Sequence, residues 1–175
     1  DRAGPQAYAF NETAVPAPAP ITLPKNEGAI RILSYNIFHG GISDPEREPV
    51  FRRIITALQP DILCFQEVWE ADVVKSKIEQ WLPLEDGRWE MKSYGDRVTL
   101  SSFTRERAWP TTFGPMSDVF TAAKLLIDAE RQLLVFNGHM SCCFEDDKRQ
   151  RQADSLIAFW RDIMTPGGDI DTTQD

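Results

Sequence analysis

A chain of 175 residues has room for one domain with a sizeable core, or for part of a larger one. At 42% hydrophobic and 26% charged residues its balance is that of an ordinary folded domain, and no apolar run approaches the eighteen residues a transmembrane helix needs. The formal charge of -8 leaves no basic footprint for gripping a polyanion, so nucleic acid is possible but not favoured as a partner. A phosphodiesterase stays open, because a bound divalent cation can supply local positive charge.

The chain starts at Asp1 without a methionine or a signal-peptide pattern, and so reads as a processed chain or a piece of a longer one. Residues 1–28, with VPAPAP at Val15 to Pro20 and then Pro24, lack periodicity and read as a Pro-rich arm or linker on the domain surface. Asn11-Glu12-Thr13 fits the glycosylation acceptor pattern, a weak lean toward export that leaves the compartment unknown.

The folded part is expected over 29–166. Ile30 to Tyr35 reads as a strand, followed by a Gly40-Gly41 loop. Val50, Phe51, Ile54, Ile55 and Leu58 recur at helical spacing until Pro60. Asp61 to Gln66 is a nearly all-apolar strand, as one covered on both faces should be. Val74, Ile78, Trp81 and Leu82 mark a second helix ended by Pro83, and strands over Trp89 to Tyr94 and Val98 to Phe103 flank Gly95-Asp96. Ala122 to Ile127 and Gln132 to Asn137 form a hairpin turning at Asp128 to Arg131. A last helix runs from Lys148 to Met164, with Ala153, Leu156, Ile157, Trp160 and Met164 on its apolar stripe, and breaks at Pro166-Gly167-Gly168. Residues 167–175 read as a polar tail. Helices alternating with strands, followed by hairpins, predict an α/β chain of α+β type with a mixed sheet in a multi-layer sandwich.

Two of these strands end in metal-competent residues. A strand, a crossover helix and a parallel neighbour bring both carboxyl ends to one sheet edge, with strands about 4.8 Å apart. Asn36 and Glu67, thirty-one residues apart, would then share a site. A carboxylate with an amide oxygen suits a hard cation that keeps waters and awaits a phosphate. His139 lies just past an apolar strand and could donate to a phosphoryl oxygen. Asp96 is a candidate to hold that imidazole in one tautomer. Arg149 and Gln152, one helical turn apart, could brace the His139 loop, while His39 reads as a surface loop residue. Cys64 reads as a core residue; Cys142 and Cys143, close behind His139, raise a soft-metal site without the spacing of a zinc finger.

The runs ILSYNI, QPDILCFQEVW and LLVFNGHM, with DDKRQRQADSL after them, resemble the endonuclease/exonuclease/phosphatase superfamily, with its deoxyribonuclease-like fold, over about Ile30 to Met164. The resemblance implies metal-dependent hydrolysis of phosphoester bonds, usually with Mg²⁺. It implies Asn36 and Glu67 as metal ligands, His139 with Asn137 toward the substrate phosphate, Asp96 as partner of His139, and Arg149 and Gln152 as helix support. The superfamily's Gly-Asp-x-Asn motif and terminal Asp-His pair, the latter with its general base, are missing; Gly168-Asp169-Ile170-Asp171 mimics the first but directly follows a helix breaker. The expectation is therefore the N-terminal portion of the fold. Its partner would be the C-terminal half or a second chain, and a one-sheet half would leave an apolar face of several hundred Å² uncovered. The rival class is a non-catalytic interaction module that keeps the scaffold.

Overall fold

The computed structural model describes residues 21–85, 87–109 and 120–167. The apolar run at 62–66 is a strand with all five residues buried, and its two faces organise the molecule. In chain order the elements are β1 (Ile32–Asn36), α1 (Glu48–Leu58), β2 (Ile62–Gln66), α2 (Ala71–Trp81), β3 (Glu90–Tyr94), β4 (Arg97–Ser101), β5 (Thr104–Trp109), β6 (Phe120–Leu126), β7 (Gln132–Gly138) and α3 (Asp146–Ile163). One sheet has the order β1-β2-β4-β3 and a second the order β5-β6-β7. Among the described strands only β1 and β2 run parallel, joined by α1 as a crossover; the other pairs are antiparallel. Among the described residues, no helix is long and apolar enough to cross a membrane.

Side-chain parity places each face, because successive residues of a strand point to opposite sides. Leu63 and Phe65 of β2, with Val98 and Leu100 of β4, face outward onto Phe51, Ile55, Val74 and Ile78 of α1 and α2. Ile62 and Cys64 point the other way and meet Ala123, Leu125 and Val135 of the second sheet. On the far side of that sheet, Trp109, Phe120 and Ala122 pack on Phe159 and Ile163 of α3. The layers therefore run helices, sheet, sheet, helix. Fully burying Phe, Leu and Ile side chains in three such interfaces gains about 1.5–3 kcal/mol each over leaving them in water.

Two expectations need correction here. The chain is not a one-sheet half: it supplies strands to both sheets, so the inner face of the first is covered over most of its width. The missing signal was β5, whose sequence Thr104 to Trp109 is charged and reads as loop. Its charges are matched, with Lys124 Nζ 2.9 Å from Glu106 and Arg105 Nη2 3.8 Å from Glu90. The chain changes sheets at Ser101 to Phe103, where Phe103 N donates to Ser101 Oγ at 2.9 Å and Ser102 N to the Asp61 carbonyl at 2.9 Å.

The second correction concerns α3. Its buried line is Gln152, Phe159 and Ile163, with Leu156 packed alongside, whereas Ile157, Trp160 and Met164 are about half exposed. Both lines have helical spacing. The true one contains a glutamine whose burial is offset by hydrogen bonds that no periodicity reveals.

Residues 23–31 lie against the body. Leu23 N donates to the Ala57 carbonyl at 2.8 Å, the Arg31 guanidinium donates to the Leu23 and Pro24 carbonyls, and Lys25 pairs with Asp61 at 2.6 Å. The acceptor pattern at Asn11, the VPAPAP stretch, the Gly168–Asp171 mimic and the polar tail lie outside the described residues, Gly167 alone excepted.

One side of the sandwich is open. β1 and β7 each have a single neighbour among the described strands, and a cleft of about 280 Å³ lies between them, lined by Ile32, Ser34, Cys64, Gln66, Val135 and Asn137 among others. Ile32 stands 52% exposed there because no described strand lies opposite it.

Candidate active site

The parallel register of β1 and β2 pairs Asn36 with Gln66, so Asn36 and Glu67 emerge together at the carboxyl edge. Asn36 Nδ2 donates to Glu67 Oε1 at 2.8 Å. Its Oδ1 accepts from Phe38 N at 2.9 Å, an Asx turn that starts the following loop. That loop folds back over β2: His39 N donates to Glu67 Oε2 at 3.0 Å and Gly40 N to the Glu67 carbonyl at 2.8 Å.

The bend is made with strained backbone. Phe38, His39 and Glu67 have φ of 47°, 52° and 60°, a left-handed region that non-glycine residues seldom occupy and that clusters at functional sites. Arg47 holds the turn by donating to the Phe38 and Ile37 carbonyls at 2.9 and 3.2 Å, and its guanidinium also sits over the Phe38 and Phe51 rings. A Cβ on Gly41 would lie 2.5 Å from both Arg47 Cζ and the Ile37 oxygen. Gly41→Ala is therefore expected to expel Arg47 and cost about 1–3 kcal/mol, read by urea denaturation.

Glu67 stays ionised. The hydrogen bond from Asn36, then the one from His39 N, hold its carboxyl below the ordinary value of 4.5. Since the folded-state value is the lower one, the ionised group stabilises the fold fully above about 4.5, and that contribution is lost as pH falls through the depressed value. A carbon-detected titration should give a Glu67 midpoint below 4.5.

From the opposite strand, β7 delivers His139 one residue past its end. Asp96 comes from the β3–β4 turn, where Gly95 takes φ 55°. His139 Nδ1 lies 2.6 Å from Asp96 Oδ2, and Nε2 lies 3.8 Å from Glu67 Oε1. With Nδ1–H donating to Asp96 Oδ2, Nε2 is left pointed at the site. The turn itself is tied to β2 by Val68 N donating to the Asp96 carbonyl at 2.9 Å. Behind His139, Arg149 donates to the Ser141 and Cys143 carbonyls at 3.1 and 3.0 Å, while Gln152 accepts from Ser141 N at 2.9 Å and donates to Ser141 Oγ at 3.1 Å. Both side chains thus hold the loop that follows His139 from α3.

Asn137 is 2% exposed; its Oδ1 accepts from Gln66 Nε2 at 2.7 Å and its Nδ2 donates to the Phe65 and Val98 carbonyls at 3.1 and 3.0 Å. The amide is spent on bolting β7 to β2 and β4, so the expectation that it faces a substrate is corrected to a structural role.

Three residues went unassigned in the sequence. Gln66 is the other half of that bolt, Arg47 is the clasp of the loop, and Trp69 is 65% exposed with the His39 ring stacked 6.2 Å from its centroid. For Arg47 the one available signal was Gly41, since adjacent glycines announce a close approach.

The oxygen donors fit a hard divalent cation. Glu67 is ionised, each of its oxygens accepts one of these hydrogen bonds, and the Asn36 amide oxygen retains a second acceptor site. Among the described residues no group of three or more His, Cys, Asp and Glu is placed to hold a metal, which leaves the soft-metal reading of His139, Cys142 and Cys143 without support.

The fold is a mixed α+β, deoxyribonuclease-like one. Among solved structures it is similar to that of truncated TDP2 from Caenorhabditis elegans, with a TM-score of 0.58 at 20% sequence identity over 79% of this chain. The chain spans 58% of that structure, and the likeness is one of fold. No protein-family model matches the sequence, and no curated protein matches it.

Proposed function

We propose that this chain carries the cation- and phosphate-binding part of a metal-dependent phosphoesterase. The reading rests on one arrangement: Asn36, Glu67, His139 and Asp96 form a string of side chains spaced 2.8, 3.8 and 2.6 Å apart across two sheets. Glu67 and Asn36 would hold the cation, with Mg²⁺ the leading candidate and Mn²⁺ or Ca²⁺ as alternatives. When bound, it supplies positive charge that polarises the phosphoryl group. His139 Nε2 donates to a non-bridging oxygen as negative charge develops there, and Asp96 keeps the ring in the tautomer and orientation this needs. The acceptor of the attacking water's proton is not assigned among these four residues.

The acidic balance supports a small or lipid phosphodiester over long DNA. The open edges of β1 and β7 support further strands joining there, from the same polypeptide or from a second chain. The same edges favour a second reading, an interaction module whose complexes would form equally well with Glu67 and His139 replaced.

Hydrolysis of bis(4-nitrophenyl) phosphate in Mg²⁺ tests the leading reading. His139→Ala should lower the rate by about 10²-fold or more, the usual scale for losing a positioned donor to developing charge. An unchanged rate removes His139 from the reaction.

A further inference from the structure

Cys142 and Cys143 are the feature the proposed chemistry leaves unused. Both are exposed, and they sit in the loop between His139 and α3. Cys142 Sγ and Cys143 Sγ lie 2.7 Å apart, so little movement separates them from the bonding distance of about 2.05 Å. Cys143 has φ 62°, and its carbonyl is held by Arg149, as is that of Ser141. This backbone is fixed in the conformation that presses two neighbouring sulfurs together.

We propose that Cys142 and Cys143 are a thiol–disulfide couple that a small disulfide, such as oxidised glutathione, converts to a vicinal disulfide. Cys142, as thiolate, attacks one sulfur of the small disulfide and expels the first thiolate. Cys143 then gives up its proton, attacks Cys142 Sγ and expels the second. Two protein thiols and one disulfide thus become one protein disulfide and two small thiols, the two thiol protons passing to the two leaving groups.

Contact with Cys142 and that neighbour's charge hold the Cys143 thiol above its ordinary value; the net exchange is the same whichever sulfur attacks first. Consecutive Cα atoms lie about 3.8 Å apart, below the usual 4.4–6.8 Å of a disulfide, so the closed ring is cramped and easily reduced. That suits a reversible device. Cys64 is excluded from the exchange: it is buried, and desolvation pushes its thiol up to about 11 against a lowering hydrogen bond with Thr99.

Ring closure must turn the Cys142–Cys143 peptide against the Arg149 clasp, and His139 stands only three residues upstream. The thiol chemistry is independent of the phosphoesterase reading; only its consequence for turnover rests on it. The test uses the full chain with oxidised glutathione as probe. Intact mass should fall by two hydrogens, with no retained glutathione and full reversal by dithiothreitol. Cys142→Ser and Cys143→Ser should each instead keep one glutathione. The His139 ring resonances should shift on oxidation of the wild type and return on reduction, a readout that needs no activity. Retention of glutathione by the wild type, or only cross-linked dimers, overturns the couple. Unmoved His139 resonances in the oxidised protein overturn its link to the site, whatever the outcome of the phosphodiester assay.

Discussion

Glu67→Gln is expected to weaken Mg²⁺ or Mn²⁺ binding by at least about tenfold in titration calorimetry, with the fold intact. Losing an outer-shell partner of a metal site typically costs about 10–100-fold, and a ligand that carries the site's charge should cost no less. The substitution keeps shape and an oxygen for Asn36 Nδ2, which now donates to Oε1 at 2.8 Å. It removes the formal negative charge and sets an amide N–H₂, a donor, against His39 N, which now donates to Oε2 at 3.0 Å. The acid limb of binding, governed by the depressed Glu67 carboxyl, should vanish with it. Unchanged affinity would place the cation elsewhere and detach Glu67 from the proposal.

The largest expected effect on stability outside the apolar core comes from Asn137→Ala, at about 3 kcal/mol in chemical denaturation. Truncation takes one acceptor from Gln66 Nε2, which keeps the Cys64 carbonyl at 3.0 Å, and removes the donor from the Phe65 and Val98 carbonyls, all within the buried layer. Leaving a buried polar group unmatched costs about 1–3 kcal/mol, and partial relaxation keeps the total below the sum. Asn137→Asp should be at least as damaging, because it points a carboxylate at two carbonyl oxygens that now receive N–H groups. A cost under about 1 kcal/mol for Asn137→Ala would reopen a substrate-facing role for this side chain.

Which parts of this were legible in the sequence depended on how local the determining contacts are. The run Ile62 to Gln66 announced a doubly covered strand because no water-facing position interrupts it. The parallel β1–β2 pair followed from the helix between them, and with it the meeting of Asn36 and Glu67. The Asp96–His139 contact was expected from residue type and from the superfamily resemblance, since a turn aspartate carries no local sign of its partner. What escaped was set by distant partners. Phe38 and His39 adopt backbone angles that residue-type rules reserve for glycine, and Asn36, Arg47 and the Glu67 carboxylate hold them there. The charged strand β5 is stable because Glu90 and Lys124 wait for its side chains. Gln152 looks like a solvent residue until Ser141 is placed beside it, which is why the helix stripe was taken one line away from its true position.

The layer between the sheets changes character along its length. Ile62, Leu125 and Leu133 fill the end remote from the site, while the Thr99–Thr121 hydroxyl contact at 3.1 Å and the Gln66–Asn137 amides occupy the near end. Oily contacts let one layer glide over another with little penalty, but directional bonds do not. The two sheets are pinned where catalysis would need fixed distances and left free to breathe at the far end. Native-state hydrogen exchange should accordingly be slowest at Asn137 and grow faster toward Leu133.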